Sequence, residues 1–455
     1  MTARDAISDV APGAARPLSA AYRTVWRWHF YAGLLVLPFL MLMALTGGIY
    51  LFKDEIDAAL WRDMARVEAR AETVSPDRWV AAAQVAGGGA ARTVRMPVGA
   101  DEAVRVTVGG ADSEPRIVFV DPHDAQVTGV IPQTGVSETV KKLHSLEFFG
   151  PVMNVWVEIV AGWAIILVAT GLFLWWPRNR AVGTVAIRAR PGAGRPFWRD
   201  LHAVTGLYAG AVIVFLAMTG MLWSAVWGDQ FMGAVRANGL GRPPAPAATN
   251  WEHAQHADHP VGTGWMMDGA VLPATPSEDQ GLSRVLAAAE TAQFERPYTV
   301  SIPASDDLAW TVAREVRRVQ DGRSLYVDAA TGAVKADVRY EQFGPGAKLF
   351  EWSIYTHQGT QYGQINRIVM LSGCIAVWLL GISAMMMWWK RRPKGRVAAP
   401  VAPPGPRAKV AVLGIVLPLS ILYPLTGLSL LVAVALDRAV AAIARRGGRS
   451  AKVLP

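Results

Sequence analysis

Four predominantly apolar stretches, at about 30 to 52, 152 to 176, 203 to 227 and 366 to 389, constrain this chain more than any other feature. A hydrocarbon layer about 30 Å thick takes roughly 20 apolar residues to cross as helix, and only a helix or a closed barrel satisfies its own backbone there. A fifth stretch, 410 to 436, is equally apolar but carries Pro418 and Pro424 and has basic residues at both ends, so it either spans once or folds back as a hairpin. The first stretch follows a short Arg-containing segment, as a signal peptide would, but it is too long for a signal peptide's apolar core and lacks an obvious small-residue cleavage site. It reads as an uncleaved span. Of the 455 residues, 52% are hydrophobic and 18% charged, a balance that excludes disordered and nucleic-acid-tail classes. The single Cys excludes a disulfide framework, a cysteine-held iron–sulfur cluster, a four-Cys zinc site and covalent c-type haem attachment.

The loops orient the spans. Segment 177–200 holds six Arg against one Asp, and 390–409 holds seven basic residues and no acid, so both are expected to face the cytoplasm. The long connections differ, with 9 basic and 14 acidic residues in 53–140 and 11 basic and 15 acidic in 228–350. They are expected outside, and the formal charge of +9 then reflects topology rather than a nucleic-acid partner. Trp26, Trp28, Trp175, Trp176, Trp388 and Trp389 fall at the cytoplasmic interface, where amphipathic rings contact membrane lipid.

The expected plan is a cytoplasmic N-terminus (1–29), span 30–52, an outer domain 53–140, a helix and span 141–176, a cytoplasmic loop 177–200 and span 201–227. A second outer domain 228–350, with an inserted loop 236–275, precedes a helix and span 351–389, the basic loop 390–409, the apolar segment 410–436 and a tail 437–455. Alternating patterns predict strands over 93–96, 104–108, 116–121 and 125–130, and again over 298–302, 309–313 and 324–328, with a helix before each set.

The halves share spacings that composition alone does not produce. His29 and His202 each open a span, with Gly33 and Gly206 four residues on and Thr46-Gly47 and Thr219-Gly220 at 17 and 18 residues. His144 and His357 each precede a span, with Gly150 and Gly363 six residues on and Trp175-Trp176 and Trp388-Trp389 at 31 and 32. The chain therefore reads as a tandem parallel repeat of span, outer domain and span. Only eight His exist, and four occupy repeat-equivalent positions.

Symmetry pairs His29 with His202 on the cytoplasmic side and His144 with His357 on the outer side. One imidazole from each of two facing helices is the ligand set of a six-coordinate haem; two His with no Cys and no carboxylate common to both halves underfill a zinc site. On a helical wheel Gly33 and Gly47 share the face of His29, and Gly206 and Gly220 that of His202, which suits a flat macrocycle and close helix packing equally. Arg23, Arg27, Arg195 and Arg199 near the inner pair, and Lys141, Lys142 and Arg367 near the outer, could bind propionates or anchor the interface. His253, His256 and His259 in the insertion could bind a metal but describe a His-rich loop better. His123 reads as a surface turn residue and Cys374 as packing. No dinucleotide fingerprint, Walker loop or protease arrangement occurs, so any reductant comes from elsewhere.

Taken together, Trp28-His29, Leu143-His144 with Gly150, Leu174-Trp175-Trp176, Leu201-His202 and Trp388-Trp389-Lys390 resemble the PepSY-associated transmembrane family of bacterial inner-membrane proteins. The endings Val120-Asp121-Pro122 through Gly129 and Val327-Asp328-Ala329 through Val334 are PepSY-like, with Ala329 where the first copy has Pro. The resemblance implies an α-helical membrane bundle with two small α+β periplasmic PepSY-like domains, two b-type haems and a ferric siderophore reductase that frees iron in the periplasm. Electrons would come from an unknown cytoplasmic or membrane donor, a flavoprotein or quinol; some members carry a flavin reductase domain that this chain lacks. The rivals are a transporter of an iron complex and a scaffold whose outer domains bind a periplasmic partner.

Overall fold

A computed structural model of the chain describes residues 20–109, 114–177, 184–222, 224–246, 251–253, 267, 269–277, 279–391, 417, 418, 420–433, 435, 436 and 439. Four long helices carry the apolar stretches: α1 (Ala20–Tyr50), α6 (Pro151–Trp175), α7 (Arg195–Met221) and α11 (Gly363–Trp389). Each is long and apolar enough to cross a membrane. α1 and α7 begin before the apolar run, because their Arg- and Trp-bearing first turns can extend into the interface. His29 and His202 consequently lie inside their helices rather than at the first turn.

The remaining elements, in chain order, are α2 (Lys53–Leu60), α3 (Arg62–Ala65), α4 (Pro76–Gly87), strands β1 (Ala90–Arg95), β2 (Val104–Gly109), β3 (Arg116–Val120) and β4 (Val127–Pro132), and α5 (Val136–His144). After α7 come α8 (Trp227–Ala237), β5 (Glu252–His253), β6 (Ala270–Val271), α9 (Leu282–Thr291), β7 (Tyr298–Ser301), β8 (Trp310–Arg314), β9 (Arg323–Val327), β10 (Val334–Arg339) and α10 (Pro345–His357). α12 (Pro424–Ala433) is the described part of the fifth apolar stretch that forms a continuous helix. The helical residues before it break at Tyr423, as expected of a residue preceding Pro.

The chain forms two compact units, and each long helix contributes to both. The first comprises Met1–Pro38, Gly162–Gly210 and Leu379–Pro455. Here α12 docks on α6. Gly162 leaves the space that Thr426 fills, since a Cβ at 162 would overlap the Thr426 hydroxyl, and Trp163 Nε1 donates to Ser429 Oγ at 2.9 Å. Described helical residues also lie on either side of α12, at 417, 418, 420–422, 435, 436 and 439.

The second unit, Phe39–Ala161 and Ala211–Trp378, holds the sheet. A four-stranded and a three-stranded set were expected in separate domains. They join edge to edge in one antiparallel layer of order β10-β9-β8-β7-β1-β2-β3-β4. The seam pairs Thr93 with Ser301, Val94 with Val300 and Arg95 with Thr299. Across it, Arg95 donates to both carboxylate oxygens of Glu315 at 2.8 and 2.9 Å, and Thr299 Oγ1 donates to the same carboxylate. Antiparallel edges that would otherwise be open are thereby paired with each other. β10 and α8 lie beyond the sequence expectations. β10 is short of apolar residues because it is an exposed edge strand, and α8 falls at the start of the second outer domain and of the inserted loop, where no element had been assigned.

α4 and α9 cover one sheet face. Trp79, Ala83, Leu282, Val285 and Ala289 meet Val94, Val106, Val118, Val300 and Val312 in a continuous core. Gly87 permits the approach, as a Cβ there would come 2.9 Å from Val108. Within the insertion, Met267, Ala270 and Leu272 are buried with Tyr326 and help cover the sheet.

His123 departs from expectation in being 8% exposed. Its Nδ1 lies 2.6 Å from Glu72 O and its Nε2 3.0 Å from Ala100 O, and these two carbonyls raise its pKa. The Arg70 N–H approaches Nε2 only at 3.4 Å and opposes them weakly. A raised pKa in the folded state stabilises below the ordinary histidine range and is lost as pH rises through the folded value. The thermal midpoint is therefore expected to fall as pH rises above the ordinary histidine value of about 6.5. His123→Gln should flatten that slope, and an unchanged slope would contradict the assignment.

Candidate functional site

α1 and α7 bring His29 and His202 together, with ring centres 6.3 Å apart and planes at 88°. α5 and α10 bring His144 and His357 together at the same 6.3 Å, with planes at 76°. The first pair lies wholly in the first unit and the second wholly in the second.

Each imidazole has one nitrogen engaged. His29 Nδ1 meets Thr170 Oγ1 at 2.9 Å, and His202 Nδ1 meets Ser383 Oγ at 3.0 Å and Leu380 O at 3.2 Å. His144 Nδ1 meets Met43 O at 2.9 Å and Thr46 Oγ1 at 3.2 Å, and His357 Nδ1 meets Thr219 Oγ1 at 2.8 Å. A carbonyl can only accept, so Nδ1 of His202 and His144 must carry the proton. The hydroxyls of Thr170 and Thr219 already donate to Ile166 O and Phe215 O at 2.7 Å, so they too accept from Nδ1. All four rings are thus the tautomer whose Nε2 lone pair is available to a metal. Burial pushes the pKa of His144 down, and burial together with His144 pushes His357 down to about 3, which keeps the outer rings neutral.

The donor set decides what such a pair can hold. With a metal–nitrogen bond of about 2 Å and the ring centre about 1 Å behind the nitrogen, two trans imidazoles stand roughly 6 Å apart. The observed spacing fits. Two nitrogens do not complete a coordination sphere, and among the described residues no group of three or more His, Cys, Asp or Glu is placed to hold a metal ion. A metal that arrives with its own equatorial ligands needs only these two, which is the requirement of a haem.

The glycines divide. A Cβ on Gly47 would come within 3.0 Å of His144 Cε1, one on Gly220 within 3.5 Å of His357 Cε1, and one on Gly171 within 3.4 Å of His29 Cε1. Gly33 and Gly206 face Leu167 and Leu380 instead. The glycines of α1 and α7 that meet a histidine therefore accommodate the outer rings rather than the face of His29 or His202, and Gly171 is the inner contact that the repeat spacing did not flag. Of the basic candidates, Arg27 stacks on Tyr31 and Arg199 pairs with Asp200 at 2.8 Å. Lys141 pairs with Glu138 at 2.8 Å, and Arg367 pairs with Glu55 and stacks on Phe52. His253 lies in β5, while His256 and His259 fall outside the described residues. Cys374 packs against Gly47 and Gly48.

Glu158 was hidden inside an apolar stretch. It is 2% exposed, and its Oε1 accepts the Val226 and Trp227 N–H groups at 2.6 and 3.0 Å, capping α8 from α6. α8 packs through Met232 and Val235 against Ala347, Phe350 and Ile354 of α10, the helix that ends at His357. Asn366 Nδ2 donates to Thr356 O at 2.9 Å, and Asn154 Nδ2 to Ser145 O at 3.0 Å, so an amide pins the backbone beside each outer histidine.

Four membrane-length helices, an antiparallel sheet borne by their connections and two opposed histidine pairs define a multi-span membrane protein with paired imidazoles in its helical frame. The family model for the PepSY-associated TM region matches residues 26–391, and the chain belongs to that family. No curated protein matches the chain.

Gly47→Val would press on His144, and overpacking of this kind costs about 1 to 3 kcal/mol. Gly33→Ala meets nothing closer than 3.9 Å and should be neutral or mildly stabilising. Thermal unfolding of the detergent-solubilised protein is expected to separate the two; equal midpoints would contradict the ring placement.

Proposed function

We propose that the chain is an inner-membrane electron-transfer protein that holds two b-type haems and reduces a periplasmic ferric siderophore, releasing iron as Fe(II). The observation that carries this reading is the twofold recurrence of one geometry: imidazole centres 6.3 Å apart and every Nδ1 hydrogen-bonded, which sets the Nε2 lone pair as the ligating atom. Bound between such rings, a haem supplies reversible one-electron exchange. His29 and His202 would hold the inner haem, and His144 and His357 the outer.

The chain's own residues orient and insulate. Thr46, Thr170, Thr219 and Ser383 are all buried and fix ring rotation, so that the ligand atoms are set before any cofactor binds. Low solvent access around the imidazoles keeps them neutral and ready to ligate. Basic loops at 177–200 and 390–409 support a cytoplasmic face for the inner pair and a periplasmic sheet, with a flavoprotein or quinol as the donor class. The substrate half of the reading follows from metal chemistry. Hard oxygen donors hold Fe(III) more tightly than the larger, less charged Fe(II), so one electron loosens the chelate without any acid or base from the protein.

Absorption spectra of the purified protein, oxidised and then reduced, test this reading. The pair His144→Ala and His357→Ala should lose about half the haem, and His29→Ala with His202→Ala the other half. The crossed ring planes are expected to give strongly anisotropic low-spin ferric resonance signals. Reoxidation of the reduced protein by a ferric hydroxamate would support the substrate class. A wild-type protein that stays colourless after haem supplementation would refute the reading.

A further inference from the structure

We infer that four helix-borne hydroxyls, Thr170, Ser383, Thr46 and Thr219, are positioning residues that set the reduction potential of whatever metal centre the histidines hold, with Thr170 the most influential. This rests on the haem reading above. It is carried by a feature separate from the histidine pairs themselves: what lies behind each ring.

A threonine or serine in a buried helix ordinarily turns its hydroxyl back onto a carbonyl three or four residues earlier. All four do so: Thr170 to Ile166 O, Thr46 to Leu42 O and Thr219 to Phe215 O at 2.7 Å, and Ser383 to Leu380 O at 3.0 Å. With its hydrogen committed, each hydroxyl oxygen offers only lone pairs, and in each case an imidazole Nδ1 lies within 3.2 Å of it. A buried structural threonine requires no such neighbour, yet all four candidate ligands have one. The hydroxyls are 0 to 5% exposed, so water does not compete for the bond.

The effect has a definite sign. Donation from Nδ1–H to an acceptor places more electron density on the ring, makes Nε2 a stronger donor and favours Fe(III) over Fe(II). Removing the acceptor therefore raises the midpoint potential. The size should follow what remains behind each ring. His29 has Thr170 Oγ1 as its acceptor. His202 keeps Leu380 O at 3.2 Å if Ser383 loses its hydroxyl, and His357 keeps a backbone contact at Leu216. His144 keeps Met43 O at 2.9 Å, closer than Thr46 Oγ1 itself.

The decisive experiment is optical potentiometry of the full-length, haem-loaded protein. The background His144→Ala with His357→Ala isolates the inner centre, and His29→Ala with His202→Ala the outer. Thr170→Val, which preserves shape, is expected to move the midpoint of the haem that it binds clearly positive, and Thr170→Ser to restore it. Thr219→Val should move the outer midpoint positive, and Thr46→Val should move it less. Wild-type midpoints in both Thr170→Val and Thr219→Val, with haem fully retained, would overturn the inference while leaving the haem reading intact. Thr219→Val supplies an independent copy of the test should the Thr170 variant fail to fold. A wild-type protein that binds no haem overturns both.

Discussion

An imidazole packed between helices needs an acceptor for its N–H from the protein itself, and all four candidate ligands find one on a neighbouring helix. Each of the four rings gives its proton to a neighbouring helix, either to a carbonyl or to a hydroxyl that has already spent its own hydrogen. The consequence reaches both ways. The ring is locked in one rotation and one tautomer, and the two helices concerned are locked against each other at that level. α1 and α7 each carry a histidine in one unit and an accepting threonine in the other, so one helix serves both arrangements.

Much of this was visible in the residue order. Apolar runs of membrane length gave the long helices, and alternation gave seven of the eight principal strands, because both signals are periodic and local. The dipeptides Thr46-Gly47 and Thr219-Gly220 were also visible, and a helical wheel gives a role to their glycines alone. The threonine proves to be the hydrogen-bonding member, while its glycine makes room for the same ring. A wheel projection assigns faces along a single helix and says nothing of which partner meets them, which is why Gly47 was placed with His29 instead of His144.

What stayed hidden has a common cause. Glu158, Asn154 and Asn366 act through backbone atoms of segments distant in the chain, and nothing about an isolated acid or amide announces a carbonyl or N–H that folding will deliver to it. His123 is similar: a turn residue by sequence, but a ring clasped by Glu72 O and Ala100 O in the fold. The seam between β1 and β7 could not be read either, since edge pairing leaves no pattern beyond the strands themselves. Charge clusters leave two readings open. Arg199 and Arg367, which could bind propionates or anchor the interface, pair with Asp200 and Glu55.

That seam bears on what either half of the chain could do alone. A single copy of span, meander and span would leave β1 as a bare edge, with unsatisfied amides facing solvent, and would hold one imidazole of each pair without its mate. Pairing β1 with β7, and each histidine with its mate, removes both deficits at once, so neither half of the chain is complete without the other.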